Sequence, residues 1–166
     1  MYQVAHFIAT TGYVGLIRPA PGTWGSLAAL PLALGIHSLG GTGLLIVATL
    51  LFFIIGIWAT AKVTSGQADH DPSYVVIDEV VGQWIALWPV SLGAMHSGAS
   101  VMDLWPGWLV AFVLFRLFDI TKPGPIGWAD RRNDATGVML DDVVAGVFAA
   151  IGVGALAYLA HGILGL

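Results

Sequence analysis

Charge in this chain is confined to three short stretches. Of its six Lys and Arg and ten Asp and Glu, all but Asp103 lie near Arg18, between Lys62 and Glu79, or between Arg116 and Asp142. The runs Pro19 to Ala61, Val80 to Met102 and Val143 to Leu166 carry no charge at all. Such runs form either a buried core or a bilayer crossing, and composition decides between the two. Charged residues make up 10% of the chain, against about 25% in soluble domains. Hydrophobic residues make up 57%, and the mean hydropathy is +0.85. The chain is expected to be an integral membrane protein forming one domain over 1–166. In lipid every backbone polar group must be satisfied internally, so only helices or closed barrels can cross. Without the alternation of a barrel strand, these runs predict an all-α, polytopic helix bundle.

About five apolar helices follow from the spacing. The run from Pro19 to Ala61 is too long for one crossing at about 20 residues and suits two. Gly40, Gly41 and Gly43 mark the turn between Trp24–Leu39 and Gly43–Ala61. Val80 to Met102 predicts a third helix ending near His96, with Pro89 as a kink. A turn through Asp103, Pro106 and Gly107 leads into a fourth, Trp108 to Phe118, and Val143 to Leu166 forms the last. Residues 1–17 predict an interfacial or half-inserted segment and are read as mature sequence. An alternating path through five crossings brings all three charged stretches to one membrane face. Every Lys and Arg then lies on that face, which makes it the cytoplasmic one.

The charged stretches are unusual in how much acid they hold. Asp78 and Glu79 open the third helix, where the helix dipole favours carboxylates. Asp141 and Asp142 open the last. Two acidic pairs at the same end of two helices are expensive near lipid unless a cation shares the site. The chain has no cysteine and no cluster of histidines, so the available ligands are hard oxygens, which suit Mg2+. Arg116 and Asp119 share a helix face. Pro123 and Pro125 break that helix just after Lys122. Arg116, Lys122, Arg131 and Arg132 could meet a phosphate, or for the last two could hold a helix end at anionic headgroups. Thr23 or Ser26 caps the first helix, or lines an anion seat behind Gly22. Asp69, His70 and Asp71 read as solvated loop. Basic and acidic groups are interleaved rather than separated into patches, so no nucleic-acid partner is expected.

The segments APGTWGSLAALPLA, DPSYVVIDEVVGQWIAL, FRLFDITKPGPI and GVMLDDVVAG occur in order from about Gly12 to Ala149. In these segments the chain resembles the bacterial phosphatidylglycerophosphatase A family. The resemblance implies a Mg2+-dependent phosphatase of the cytoplasmic membrane, hydrolysing the terminal phosphomonoester of phosphatidylglycerophosphate to phosphatidylglycerol and inorganic phosphate. It carries the family's charged motif positions onto Asp78, Glu79, Arg116, Asp119, Lys122, Asp130, Asp141 and Asp142, with Thr23 in a glycine-rich motif. Gly124 stands where a bulky residue commonly separates the two prolines. Asn133 to Thr136 replace a more glycine-rich linker, which puts the role of Arg132 in question.

Together the two readings give one expected site. Asp78, Glu79, Asp141 and Asp142 supply the metal ligands. Thr23, Arg116, Lys122 and Arg132 hold the phosphate. Asp78, Glu79, Asp119 and Asp142 carry the chemistry, with Asp119 either orienting Arg116 or activating water. Attack by water and attack by an Asp through a phosphoenzyme both remain open. The partner is the lipid itself, and no obligate protein partner is expected. One rival is another membrane phosphoryl-transfer enzyme, a CDP-alcohol phosphotransferase, whose DGxxAR signature this sequence lacks. A small transporter is the other, but it would place an ionisable residue near mid-bilayer and repeat its halves.

Overall fold

The computed structural model describes residues 1–67 and 69–163, so the end of the last apolar run lies outside the described residues. Among these the chain is all-helical, with no strand. Helix α1 (Tyr2–Ala9) leads through a 3-10 turn at Val14–Leu16 into α2 (Pro21–Thr64), followed by α3 (Ile77–Ser97), α4 (Trp105–Thr121), the short α5 (Pro125–Asp130) and α6 (Ala135–Ala157).

The expected hairpin is present inside α2. Gly40 and Gly41 leave helical geometry, and Gly41 takes φ 63, a backbone that L side chains rarely adopt. The two limbs, 21–39 and 42–64, return along α3 side by side. Near one end of α3, the Trp84 indole donates to the Ala29 carbonyl of the first limb at 2.9 Å. The same indole packs on Phe52 of the second limb, with ring centres 4.7 Å apart. Towards the other end, Ser91 is bonded by His37 before the turn and Thr42 after it, at 2.6 and 2.8 Å.

Helix α3 is the axis of the bundle, buried along most of its length and packed chiefly on α2 and α6. Its approach to α6 depends on paired glycines. A Cβ on Gly82 would come within 2.6 Å of the Asp142 carbonyl, and one on Gly146 would run into the Gly82 backbone. Close backbone contact of this kind is how small residues join helices in lipid. The outer faces are apolar: Leu50, Leu51, Ile54, Leu109, Val113 and Ile151 are all exposed. By length and composition α2 and α6 can each cross a membrane, and most of each faces outward rather than into the core.

Three expectations change, and the helix expected near the N-terminus is present. Helix α2 starts at Pro21 with Ala20 before it, so neither Thr23 nor Ser26 is its cap. Proline at the first helical position, where its missing N–H costs nothing, starts the helix early. Helix α6 starts at Ala135, capped by Asp134, whose Oδ1 accepts from the Gly137 amide at 2.6 Å. Asp141 and Asp142 therefore lie nearly two turns inside the helix rather than opening it. The helix breaks after Lys122 as expected, but the segment that follows holds the short α5. Residues 2–9 form a helix that docks inward through Ala5 and Ala9, and the Ala9 carbonyl accepts from the Val76 amide at 2.8 Å.

Candidate active site

The charged stretches converge at one end of the bundle. Asp78 and Glu79 occupy the first turn of α3. Beside Glu79 runs the first turn of α2, so closely that a Cβ on Gly22 would collide with the Glu79 carboxylate and lie 3.2 Å from Arg116 Nη1. From the end of α4, Arg116 pairs with Asp119 at 2.6 Å, stands 3.9 Å from Glu79, and donates to Ser26 Oγ at 3.4 Å. Lys122, just past α4, bridges Asp130 at the end of α5 and Asp141 of α6, the latter at 2.6 Å.

Two sets of carboxylates meet here. Oxygens of Asp78, Glu79 and Asp142 lie within 4.8 Å of one another, and so do oxygens of Asp119, Asp141 and Asp142. Asp142 belongs to both. Asp78, Asp141 and Asp142 are buried, and Glu79 and Asp119 nearly so. Six carboxylates, counting Asp130, face two cations, Arg116 and Lys122. Asp78 Oδ1 and Glu79 Oε2 are buried with no hydrogen-bond partner. Buried carboxylate oxygens without partners, in a set this rich in acid, fit a hard divalent cation. One turn below Glu79, Gln83 is fully buried, and both atoms of its amide are unpartnered too.

The cationic side is tightly held. Burial alone would lower the Lys122 ammonium, but its hydrogen bonds to Asp130 and Asp141 outweigh this and raise it. It is a permanent positive charge at neutral pH. Near it, Asp71 is exposed as a residue, yet burial of its carboxyl pushes it up, Lys122 pulls it back, and Asp69, Asp130 and Asp119 add to the rise. Asp71 was read from sequence as solvated loop, and as a residue it is exposed.

Most of the residues expected in the site are brought together: Asp78, Glu79, Arg116, Asp119, Lys122, Asp141 and Asp142. Thr23 is half-buried in the first turn of α2, one residue from Gly22. Arg132 is not part of the cluster. It is exposed and pairs with its neighbour Asp134 at 3.3 Å.

Such an end can bind a divalent cation and a phosphate together, with fixed cations beside the acids. Residues 7–157 match the family model described as Phosphatidylglycerophosphatase A. A Phosphatidylglycerophosphatase A of Haemophilus influenzae is 40% identical over 155 residues, covering 92% of this chain and 88% of that protein. Its Escherichia coli namesake is 33% identical over 164 residues, covering 94% and 83%. A Bacteroides thetaiotaomicron protein with the provisional name phosphatidylinositol-3-phosphatase is 38% identical over 147 residues, covering 85% and 86%. No solved structure matches.

Proposed function

Because this chain belongs to the phosphatidylglycerophosphatase A family, we propose that its cluster of carboxylates forms a Mg2+-dependent active site at the cytoplasmic surface of the bacterial inner membrane. The activity itself is the family's: the chain is a phosphatase that hydrolyses phosphatidylglycerophosphate. The observation that carries the proposal is the pair of carboxylate sets sharing Asp142, with buried oxygens on Asp78 and Glu79 left unpaired.

Asp78, Glu79, Asp141 and Asp142 would hold the metal. When bound, Mg2+ supplies polarisation of the phosphoryl oxygens and offsets the charge that redistributes during transfer. Arg116 and Lys122 neutralise non-bridging oxygens. Arg116 can do so in only one orientation, because Asp119 grips it at 2.6 Å and Ser26 accepts from it. This favours Asp119 as the residue that positions Arg116. Thr23 and the amides around Gly22 meet the phosphate from the first limb of α2. Arg132, out at the surface with Asp134, suits an anionic headgroup better than the reacting phosphate.

The bundle sits in the bilayer with five crossings, namely the two limbs of α2 with α3, α4 and α6. Apolar side chains facing outward along α2 and α6 support this, since the core helix of a soluble protein would turn them inward. Acyl chains then stay in lipid while the headgroup enters among the helix ends.

The test is phosphate release by purified protein from phosphatidylglycerophosphate, with phosphatidylinositol 3-phosphate as comparator. Activity should vanish with a chelator and return with Mg2+. Full activity in the chelator would overturn the metal. Topology has its own test, since the chain has no cysteine of its own. In Leu39→Cys a membrane-impermeant maleimide added outside spheroplasts should label the protein, and in Arg131→Cys it should not. The reverse pattern would overturn the orientation.

A further inference from the structure

Gln83 is fully buried, yet neither polar atom of its side-chain amide has a hydrogen-bond partner among the described residues. A buried amide left unpaired costs stability, and an apolar side chain of the same size would not. Packing therefore gives no reason for a glutamine here. Its surroundings are closely fixed. Gln83 follows Glu79 by four residues, so the two share a face of α3. Gly82, just before it, lies so near α4 that a Cβ would collide with the Phe115 ring, and Arg116 is the next residue of α4. Trp84, just after it, bonds to Ala29 of the first limb of α2, about one turn beyond the Ser26 hydroxyl that accepts from Arg116. Gln83 is thus enclosed where α2, α3 and α4 meet, one turn below Glu79 and level with Arg116. Both of those residues also carry a buried atom without a partner, the acceptor Glu79 Oε2 and the donor Arg116 Nε.

We propose that Gln83 is a positioning residue that ties the metal side of the site to its phosphate side. Its Nε2 donates to Glu79 Oε2, and its Oε1 accepts from Arg116 Nε, as Glu79 engages the cation and Arg116 the phosphate. The inference rests on the Mg2+-dependent phosphatase reading above. The unpaired atoms match donor to acceptor, and a primary amide presents one of each side by side. Glu79 and Arg116 do not satisfy each other directly: Arg116 Nη1 stands 3.9 Å from Glu79 Oε1, beyond a hydrogen bond, and is taken by Asp119 at 2.6 Å. A neutral amide between them fixes both side chains without adding charge to a set already rich in acid. Partners that hold a ligand from behind are what orient it toward a metal.

Gln83→Met, apolar and close in size, tests this. Titrated with Mg2+ in detergent, the variant should bind the ion about tenfold or more weakly than wild type, the loss expected when a ligand's orienting partner goes. Without Mg2+ it should melt no lower than wild type, because an unpaired buried amide has been removed. Its kcat on phosphatidylglycerophosphate should fall by about tenfold even at saturating Mg2+, because Arg116 is held less firmly. A residue that serves only the fold behaves in the reverse way. Trp84→Phe, which breaks the bond to Ala29, should melt lower and bind Mg2+ like wild type. Wild-type Mg2+ affinity in folded Gln83→Met would overturn the proposal. So would a clearly lower melting point without Mg2+, which would show that the amide holds the bundle together. Gln83→Asn keeps an amide but is one carbon too short to reach both partners, and it should lose Mg2+ affinity as well. If Gln83→Met does not fold, wild-type affinity in Gln83→Asn overturns the proposal instead. The underlying reading fails separately: wild type that binds no Mg2+ sinks the metal reading, and wild type that binds the ion but releases no phosphate sinks the phosphatase reading, with the titrations still deciding the role of Gln83.

Discussion

The two ends of this bundle are both polar, and they differ in whether their polar groups are satisfied. At the end where α2 turns back, Ser91 is shared by His37 and Thr42, and the Thr42 amide meets Met95 Sδ at 3.2 Å. Those groups are paired with one another. At the other end carboxylates from α3, α4 and α6 crowd together, and buried oxygens of Asp78 and Glu79 go without partners. Folding alone explains the first end, because hydrogen-bonded groups hold a tight turn against α3. It does not explain the second, where replacing acids by apolar residues would relieve repulsion and desolvation. Polar groups kept at a cost to the fold are where function is to be sought.

The sharpest way to break this contrast is Asp142→Asn, which removes the carboxylate common to both sets. Hydrolysis should fall by about a thousandfold with the fold intact by circular dichroism. Near-normal turnover would mean that the acids are structural after all. Lys122→Met comes next. It releases Asp130 and Asp141 and should lower kcat by about ten- to a hundredfold, the cost of losing a residue that orients a ligand. At the turn end Ser91→Ala should behave in the opposite way. It strands His37 and Thr42, so the protein should lose about 1–3 kcal/mol of stability in thermal melts, with kcat unchanged. A large loss of activity there would erase the distinction between the ends.

The smallest effect is expected at Asp134. Its hydrogen bond from the Gly137 amide and its pairing with Arg132 hold this exposed carboxyl below its ordinary 3.8. A lowered folded-state pKa means that its support for the start of α6 is complete above the ordinary value and lost as pH falls through the lowered one. Amide exchange at Gly137 should speed up in that acidic window, and in Asp134→Ala it should already be fast at neutral pH.

How far the sequence reveals this molecule depends on what each signal measures. The clustering of charge and the run of glycines from Gly40 to Gly43 report where the apolar runs stop. They therefore locate the hairpin, the shared polar end and nearly all of the acidic set. They do not report where backbone hydrogen bonding begins. Helix α6 starts at Ala135, ahead of its apolar run, because Asp134 caps it there and the stretch that follows stays helical with Asp141 and Asp142 buried among the packed helices. Reading the run as the helix moved Asp141 and Asp142 from the packed interior to a mouth. Asp134 four residues before Val138 was the available capping signal. Arg132 was placed in the phosphate site by proximity in sequence, yet Asp134, two residues on, takes its charge.

The central claim is that the acids stay unsatisfied because they serve a cation, and titration of Mg2+ into the detergent-solubilised protein tests it most directly. Wild type and Ser91→Ala should bind the ion alike, and Asp142→Asn should lose that binding while remaining folded. Equal binding by Asp142→Asn and wild type would contradict the account.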